Sequence, residues 1–163
     1  MDDRQLTRLE ELLRSRSETV ATAESCTGGL LAGRITDIDG SSDVFHRGFV
    51  TYCDEAKHDL LQVRWETLRQ YTAVSEQTAR EMAEGAARGT GAAAALSVTG
   101  YAGSVSGRRE SEDGLVYIGC HYRGRTVVRE YHFEGARGEV RRAAVDEALA
   151  LLAACMNIDE VNG

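Results

Sequence analysis

Leucines at 6, 9, 12 and 13 recur at helical spacing and place one apolar face on residues 6–13, which predicts a helix. Residues 19–23 (Thr-Val-Ala-Thr-Ala) read as a short strand, residues 25–29 as a tight loop of small and glycine residues, and residues 30–36 as a second helix. A loop at residues 39–42 leads to a strand over residues 48–53. Asp54 is placed to cap a short helix through Leu61, and Ser75 to start another with Met82 and Ala86 along one side. Residues 93–99 form an apolar run expected to be a buried strand ending at Gly100. A loop rich in Gly, Ser and charge spans residues 101–113. Residues 115–122 and 126–133 predict a hairpin about Arg123-Gly124, and residues 138–156 a final helix.

Helices and strands alternate through most of the chain before an antiparallel pair. That order predicts an α/β fold: a single-domain three-layer sandwich over residues 1–163, with a mixed sheet and helices on both faces. Ligands in such sheets gather at the carboxyl ends of strands. The loops after Ala23, Cys53 and Thr99 leave such ends and are expected to converge.

Composition narrows the function. The chain has 163 residues, 42% of them hydrophobic and 28% charged, as suits one core. It has no proline, so glycine, aspartate, serine and asparagine must make its turns. No apolar run has a membrane span's length and the polar start is unlike a secretory signal, so a cytoplasmic protein without membrane partners is expected. The net charge of −7 and the scattered arginines argue against a nucleic-acid partner. The four cysteines, at 26, 53, 120 and 155, have no zinc spacing and are expected to be free thiols, Cys53 and Cys120 in the core; no metal or cofactor is expected. The apolar stretch at residues 143–154 suits either core or an interface between copies, and a homo-oligomer is expected.

Lys57 changes the picture most. Of 19 basic residues it is the one lysine. Arginine stays protonated at any useful pH, whereas a desolvated lysine can serve as a base near neutrality. Lys57 falls in the first turn of the predicted helix at 54–61, where the helix dipole disfavours a cation. Two serines are candidate nucleophiles for that base: Ser42, in Gly40-Ser41-Ser42, and Ser25, in the loop after the first strand. The same loop, with Thr27, Gly28 and Gly29 opening a helix, reads either as an anion site or as a plain strand–helix turn. Tyr52 could relay a proton or hold substrate, Thr99 and Gly100 could meet a ligand at a strand end, and Arg137 is placed to meet a phosphate.

Several segments in order resemble the C-terminal domain of the competence-damage-inducible protein family: Ala23-Glu24-Ser25-Cys26-Thr27-Gly28-Gly29, Gly40-Ser41-Ser42, residues 48–57, Ala73-Val74-Ser75-Glu76, residues 98–103 and Gly135-Ala136-Arg137. Stand-alone members of that family are nicotinamide-nucleotide amidohydrolases with a compact α/β sandwich fold. The resemblance implies metal-independent deamidation of nicotinamide mononucleotide by a serine–lysine pair. It implies Ser42 with Lys57 as the first choice, Ser25 as the second, and Tyr52 assisting. Ser25, Thr27, Thr99 and Arg137 would hold the substrate or its oxyanion. Residues 104–116 depart from the family pattern, lacking its proline and its Lys-Pro pair. That departure leaves two other readings open: hydrolysis of a different amide, or a nucleotide- or phosphate-binding module without turnover.

Overall fold

A computed structural model describes residues 1–103 and 112–157. The first helix, α1 (Asp3–Ser15), starts at a reciprocal cap in which Asp2 accepts from the Gln5 N–H at 2.8 Å and Gln5 accepts from the Asp2 N–H at 2.9 Å. After it come β1 (Val20–Glu24), α2 (Leu30–Thr36), a 3-10 turn at Ser41–Asp43, β2 (Phe45–Val50), α3 (Asp54–Leu61) and α4 (Trp65–Tyr71). The chain continues through α5 (Glu76–Thr90), β3 (Ala94–Gly100), β4 (Leu115–Tyr122), β5 (Arg125–His132) and α6 (Arg137–Cys155).

The five strands form one mixed sheet in the order β2-β1-β3-β4-β5, in which β2, β1 and β3 run parallel and β4 and β5 antiparallel. Alternate residues of the strands serve opposite faces. Val20, Leu96, Val98, Ile118 and Cys120 pack with α1, α2 and α6 on one side. Ala21, Ala23 and Ala95 pack with α3, α4 and α5 on the other. The expected three layers are therefore present. The second face is built of small residues because α5 lies very close to it: Ser97 Oγ donates to the Ala79 carbonyl at 2.6 Å, and a Cβ on Gly119 would stand 3.0 Å from the same oxygen.

Several elements differ from the sequence reading. β2 begins at Phe45 and ends at Val50, so Cys53 is outside the sheet and exposed rather than a core residue. Cys53, not Asp54, is the N-cap of α3, and Asp54 is its first helical residue. The seven-residue α4 has no counterpart in the sequence reading. Ser75 caps α5 as expected, accepting from the Thr78 N–H at 3.1 Å. The apolar run near the end of α6 is core, with Ala144, Ala148, Leu149 and Leu152 all buried. The variant stretch at 104–116 lies, over residues 104–111, outside the described residues. Among the described residues no helix is long and apolar enough to cross a membrane.

Candidate active site

The chain reverses its direction of travel across the sheet at β1, passing first to β2 on one side and then over α3, α4 and α5 to β3 on the other. A crevice forms at the carboxyl ends of strands at such a point. Backbone bonds continue past the strands there: the Ser25 N–H donates to the Val98 carbonyl at 2.9 Å, and the Thr51 N–H to the Glu24 carbonyl at 2.7 Å. Ser25 and Thr51 are thus fixed to the frame one residue past the ends of β1 and β2.

Lys57 reaches into this point from the first turn of α3. It is 1% exposed and heads the largest fully buried side chains. Its Nζ donates to the Thr51 carbonyl at 2.8 Å and lies 3.0 Å from Ser25 Oγ. Burial lowers its pKa from the ordinary lysine value, while the charges of Asp54, Cys53 and Cys26 act weakly the other way. The lysine–serine contact expected from the sequence is therefore made with Ser25. Ser42 stands elsewhere, exposed in the 3-10 turn that precedes β2, whereas Lys57 follows β2. A strand of six residues, about 20 Å long, separates the two ends. The first-choice pairing of Ser42 with Lys57 is not formed.

The glycine-rich loop is also different from an open anion site. Glu24, the last residue of β1, is fully buried and turns its carboxylate into the start of α2. It accepts from the N–H groups of Gly29 at 3.2 Å, Leu31 at 2.8 Å and Ala32 at 3.1 Å. The helix end that would have met a substrate anion is filled by the chain's own carboxylate, whose charge the dipole favours. Gly28 and Gly29 have φ of 56° and 105°, so they serve the turn geometry of this internal cap. Thr27 is buried, and its hydroxyl has no partner among the described residues. Cys26, buried beside Ser25, has its thiol pushed up to about 11 by burial, which leaves it unreactive.

Arg141 grips this loop from α6, donating to the Cys26 carbonyl at 3.0 Å and the Thr27 carbonyl at 3.1 Å. One turn earlier, Arg137 donates to Tyr52 Oη at 2.7 Å. Both Arg137 and Tyr52 are exposed, and Arg137 also lines a cavity of about 540 Å³ with Ala102, Gly103, Phe133 and Glu134. Ser25 and Lys57 are not part of that cavity's wall. Thr99 ends β3 with its hydroxyl donating to the Ala73 carbonyl at 2.7 Å. Gly100 is glycine because a Cβ would stand 2.7 Å from the Leu115 carbonyl oxygen. Both residues thus have structural work at the strand end. The sequence reading missed Glu24 and Arg141. A spacing of four between Arg137 and Arg141 puts both guanidiniums on one helix face. A lone acid closing an apolar strand was the available signal for Glu24. Among the described residues no group of three or more His, Cys, Asp and Glu side chains could hold a metal ion.

The CinA C-terminal domain matches this chain over residues 3–156. The chain belongs to that family. A Clostridium botulinum (strain Okra / Type B1) protein named as competence-damage inducible is 47% identical over 150 residues, covering 90% of this chain and 37% of that protein. A CinA-like protein of Syntrophobacter fumaroxidans is 49% identical over 142 residues, covering 87% and 34%. This CinA domain therefore spans about a third of the length of the curated relatives it matches. Among solved structures, competence damage-inducible protein A of Klebsiella pneumoniae superposes with a TM-score of 0.90 at 36% identity, covering 96% of this chain and 98% of that one. A competence/damage inducible protein of Agrobacterium tumefaciens gives 0.88 at 42% identity, covering 98% and 94%. These likenesses establish the CinA fold, an α/β fold with a five-stranded mixed sheet.

Proposed function

We propose that this CinA-family chain is a nicotinamide-nucleotide amidohydrolase, which converts nicotinamide mononucleotide to nicotinic acid mononucleotide and ammonia with Ser25 as nucleophile and Lys57 as its base. The observation that carries the reading is the 3.0 Å contact between Ser25 Oγ and an almost fully buried Lys57 amine. Desolvation favours the neutral amine, and the Thr51 carbonyl accepts one of its N–H groups, which leaves the lone pair for Ser25.

In the first step Ser25 Oγ attacks the carboxamide carbon and its proton passes to Lys57 Nζ. The tetrahedral intermediate expels ammonia, which takes that proton, and leaves an ester on Ser25. Water then attacks the ester, gives its proton to Lys57, and releases the carboxylic acid as Ser25 recovers its hydrogen. The Thr27 hydroxyl, two residues from Ser25, is the uncommitted buried donor available to the oxyanion. Arg137 and the cavity it lines are suited to the phosphate end of the substrate, with Tyr52 holding the guanidinium in place.

The test is ammonia release from nicotinamide mononucleotide. Ser25→Ala and Lys57→Arg should each abolish turnover, and Ser42→Ala should leave it intact. Full activity in Lys57→Arg would end the proposal, because arginine keeps the charge and cannot act as the base. Turnover of other amides but not of this one would keep the dyad and reassign the substrate.

A further inference from the structure

Arg141 has no part in the reaction steps above, yet it is bound to the loop that carries Ser25. It stands half-buried in α6, and its Nε and Nη2 donate to the Cys26 carbonyl at 3.0 Å and the Thr27 carbonyl at 3.1 Å. Two N–H groups of one planar guanidinium thus meet two successive carbonyls, a fixed fork that a lysine's compact ammonium does not reproduce. Gly28 lies against the same group: a Cβ there would stand 3.3 Å from Arg141 Nη2. The Thr27–Gly28 peptide is also held at its other side, where the Gly28 N–H donates to the Ser25 carbonyl at 3.0 Å. The Cys26–Thr27 peptide lacks that second tie: among the described residues the Thr27 N–H has no hydrogen-bond partner. Thr27 is fully buried, and its hydroxyl is unpartnered as well. The peptide is trans, so this N–H points away from the carbonyl that Arg141 holds.

We propose that Arg141 is a positioning residue for the deamidation: by holding both carbonyls it aims the Thr27 N–H and hydroxyl together as oxyanion donors beside Ser25. The inference rests on the reading of Ser25 as nucleophile. A buried N–H without a partner is rare in a native protein and costs stability, so it marks a place where a ligand atom supplies the acceptor. The carboxamide oxygen, which gains negative charge as Ser25 attacks, is an acceptor of that kind. Releasing the Cys26 carbonyl frees this peptide plane to rotate and turns the N–H off its line. Arg137, one turn earlier on the same helix, lines the cavity assigned to the phosphate, whereas the Arg141 fork is spent on the backbone. The two arginines therefore divide the work: Arg137 acts on substrate binding, and Arg141 on the rate of the chemical step.

The experiment measures kcat and KM for ammonia release from nicotinamide mononucleotide in the whole protein and its variants, with Tm recorded for each. Arg141→Ala should lower kcat roughly 100-fold, the loss that follows removal of an oxyanion donor or its displacement by about 1 Å, with KM changed less than about threefold. Millimolar guanidinium chloride should restore part of the rate to Arg141→Ala and leave the wild type unchanged. Arg141→Lys keeps the charge and reaches one carbonyl, so its kcat should fall between the two; it carries the test if the alanine variant does not fold. Arg142→Ala removes the neighbouring exposed arginine and should behave as wild type. An unchanged kcat in Arg141→Ala, or in Arg141→Lys where only that variant folds, would overturn the inference alone, as would an equal loss of kcat in Arg142→Ala. No ammonia from the wild type would overturn the amidohydrolase reading, and this inference with it.

Discussion

Glu10 lies on the buried face of α1, 2% exposed, and neither oxygen of its carboxylate has a hydrogen-bond partner among the described residues. Burial raises its pKa from 4.5 to about 7, with Arg14 and Arg34 holding it back only in part. A carboxyl whose folded pKa is raised costs nothing while both states are protonated. The cost grows as pH rises past the unfolded value, near 4.3, and is complete above the folded value. At about 1.4 kcal/mol for each tenfold change in proton affinity, the gap from 4.5 to about 7 sets an upper bound of about 3 kcal/mol. Of this, roughly 2 kcal/mol should be lost between pH 5 and pH 8. Glu10→Met removes the charge with a side chain of similar length that suits a helix and a core. Urea unfolding of the wild type and of this variant across that range isolates the one group from every other titration. The variant should gain at most about 1 kcal/mol at the acid end and about 3 kcal/mol at the alkaline end, the swing of about 2 kcal/mol corresponding to roughly 5 °C in Tm for a chain of this size. A difference between the two proteins that stays constant with pH would refute the reasoning, because a packing effect of methionine does not titrate.

Other consequences can be checked as directly. Gly85→Ala should destabilise the fold by about 1–3 kcal/mol and slow turnover, since its Cβ would run into the Leu61 carbonyl at the end of the helix that carries Lys57; denaturant midpoints and ammonia release measure the two effects. Glu24→Gln should cost about 2–3 kcal/mol in chemical denaturation, because an amide cannot accept from three N–H groups as the carboxylate does. The rate of ammonia release should rise with pH through a pKa below that of an ordinary lysine and level off once the Lys57 amine is neutral, and a flat profile would remove it as the base.

The order of the elements other than α4, the mixed sheet and a contact between Lys57 and a serine were legible from the residues alone. Which serine it meets was not, since Ser25 and Ser42 both sit in short polar loops near glycine and the local pattern is the same. Direction along the strands separates them: Ser25 leaves the carboxyl end of β1, whereas Ser42 enters the amino end of β2. The loop after β1 stays open in the sequence between an anion site and a plain turn for a related reason. Small residues before a helix announce unsatisfied N–H groups, and nothing in their spacing reveals that Glu24, one residue upstream, folds back to occupy them. Cys53 was misplaced because the β2 pairing stops at Val50, ahead of the apolar run that continues to it. The helix α4, with seven residues, is too short to display a period.

With Lys57 sealed in the core, the one lysine of the sequence is hidden from amine-directed chemistry. Acylating dyes, cross-linkers and enzymes that modify lysine have no surface lysine to find here. Amine label found on Lys57 therefore reports that this buried side chain has become exposed. The residue proposed as the catalytic base is at the same time a sensor of its own exposure, readable without any added probe site.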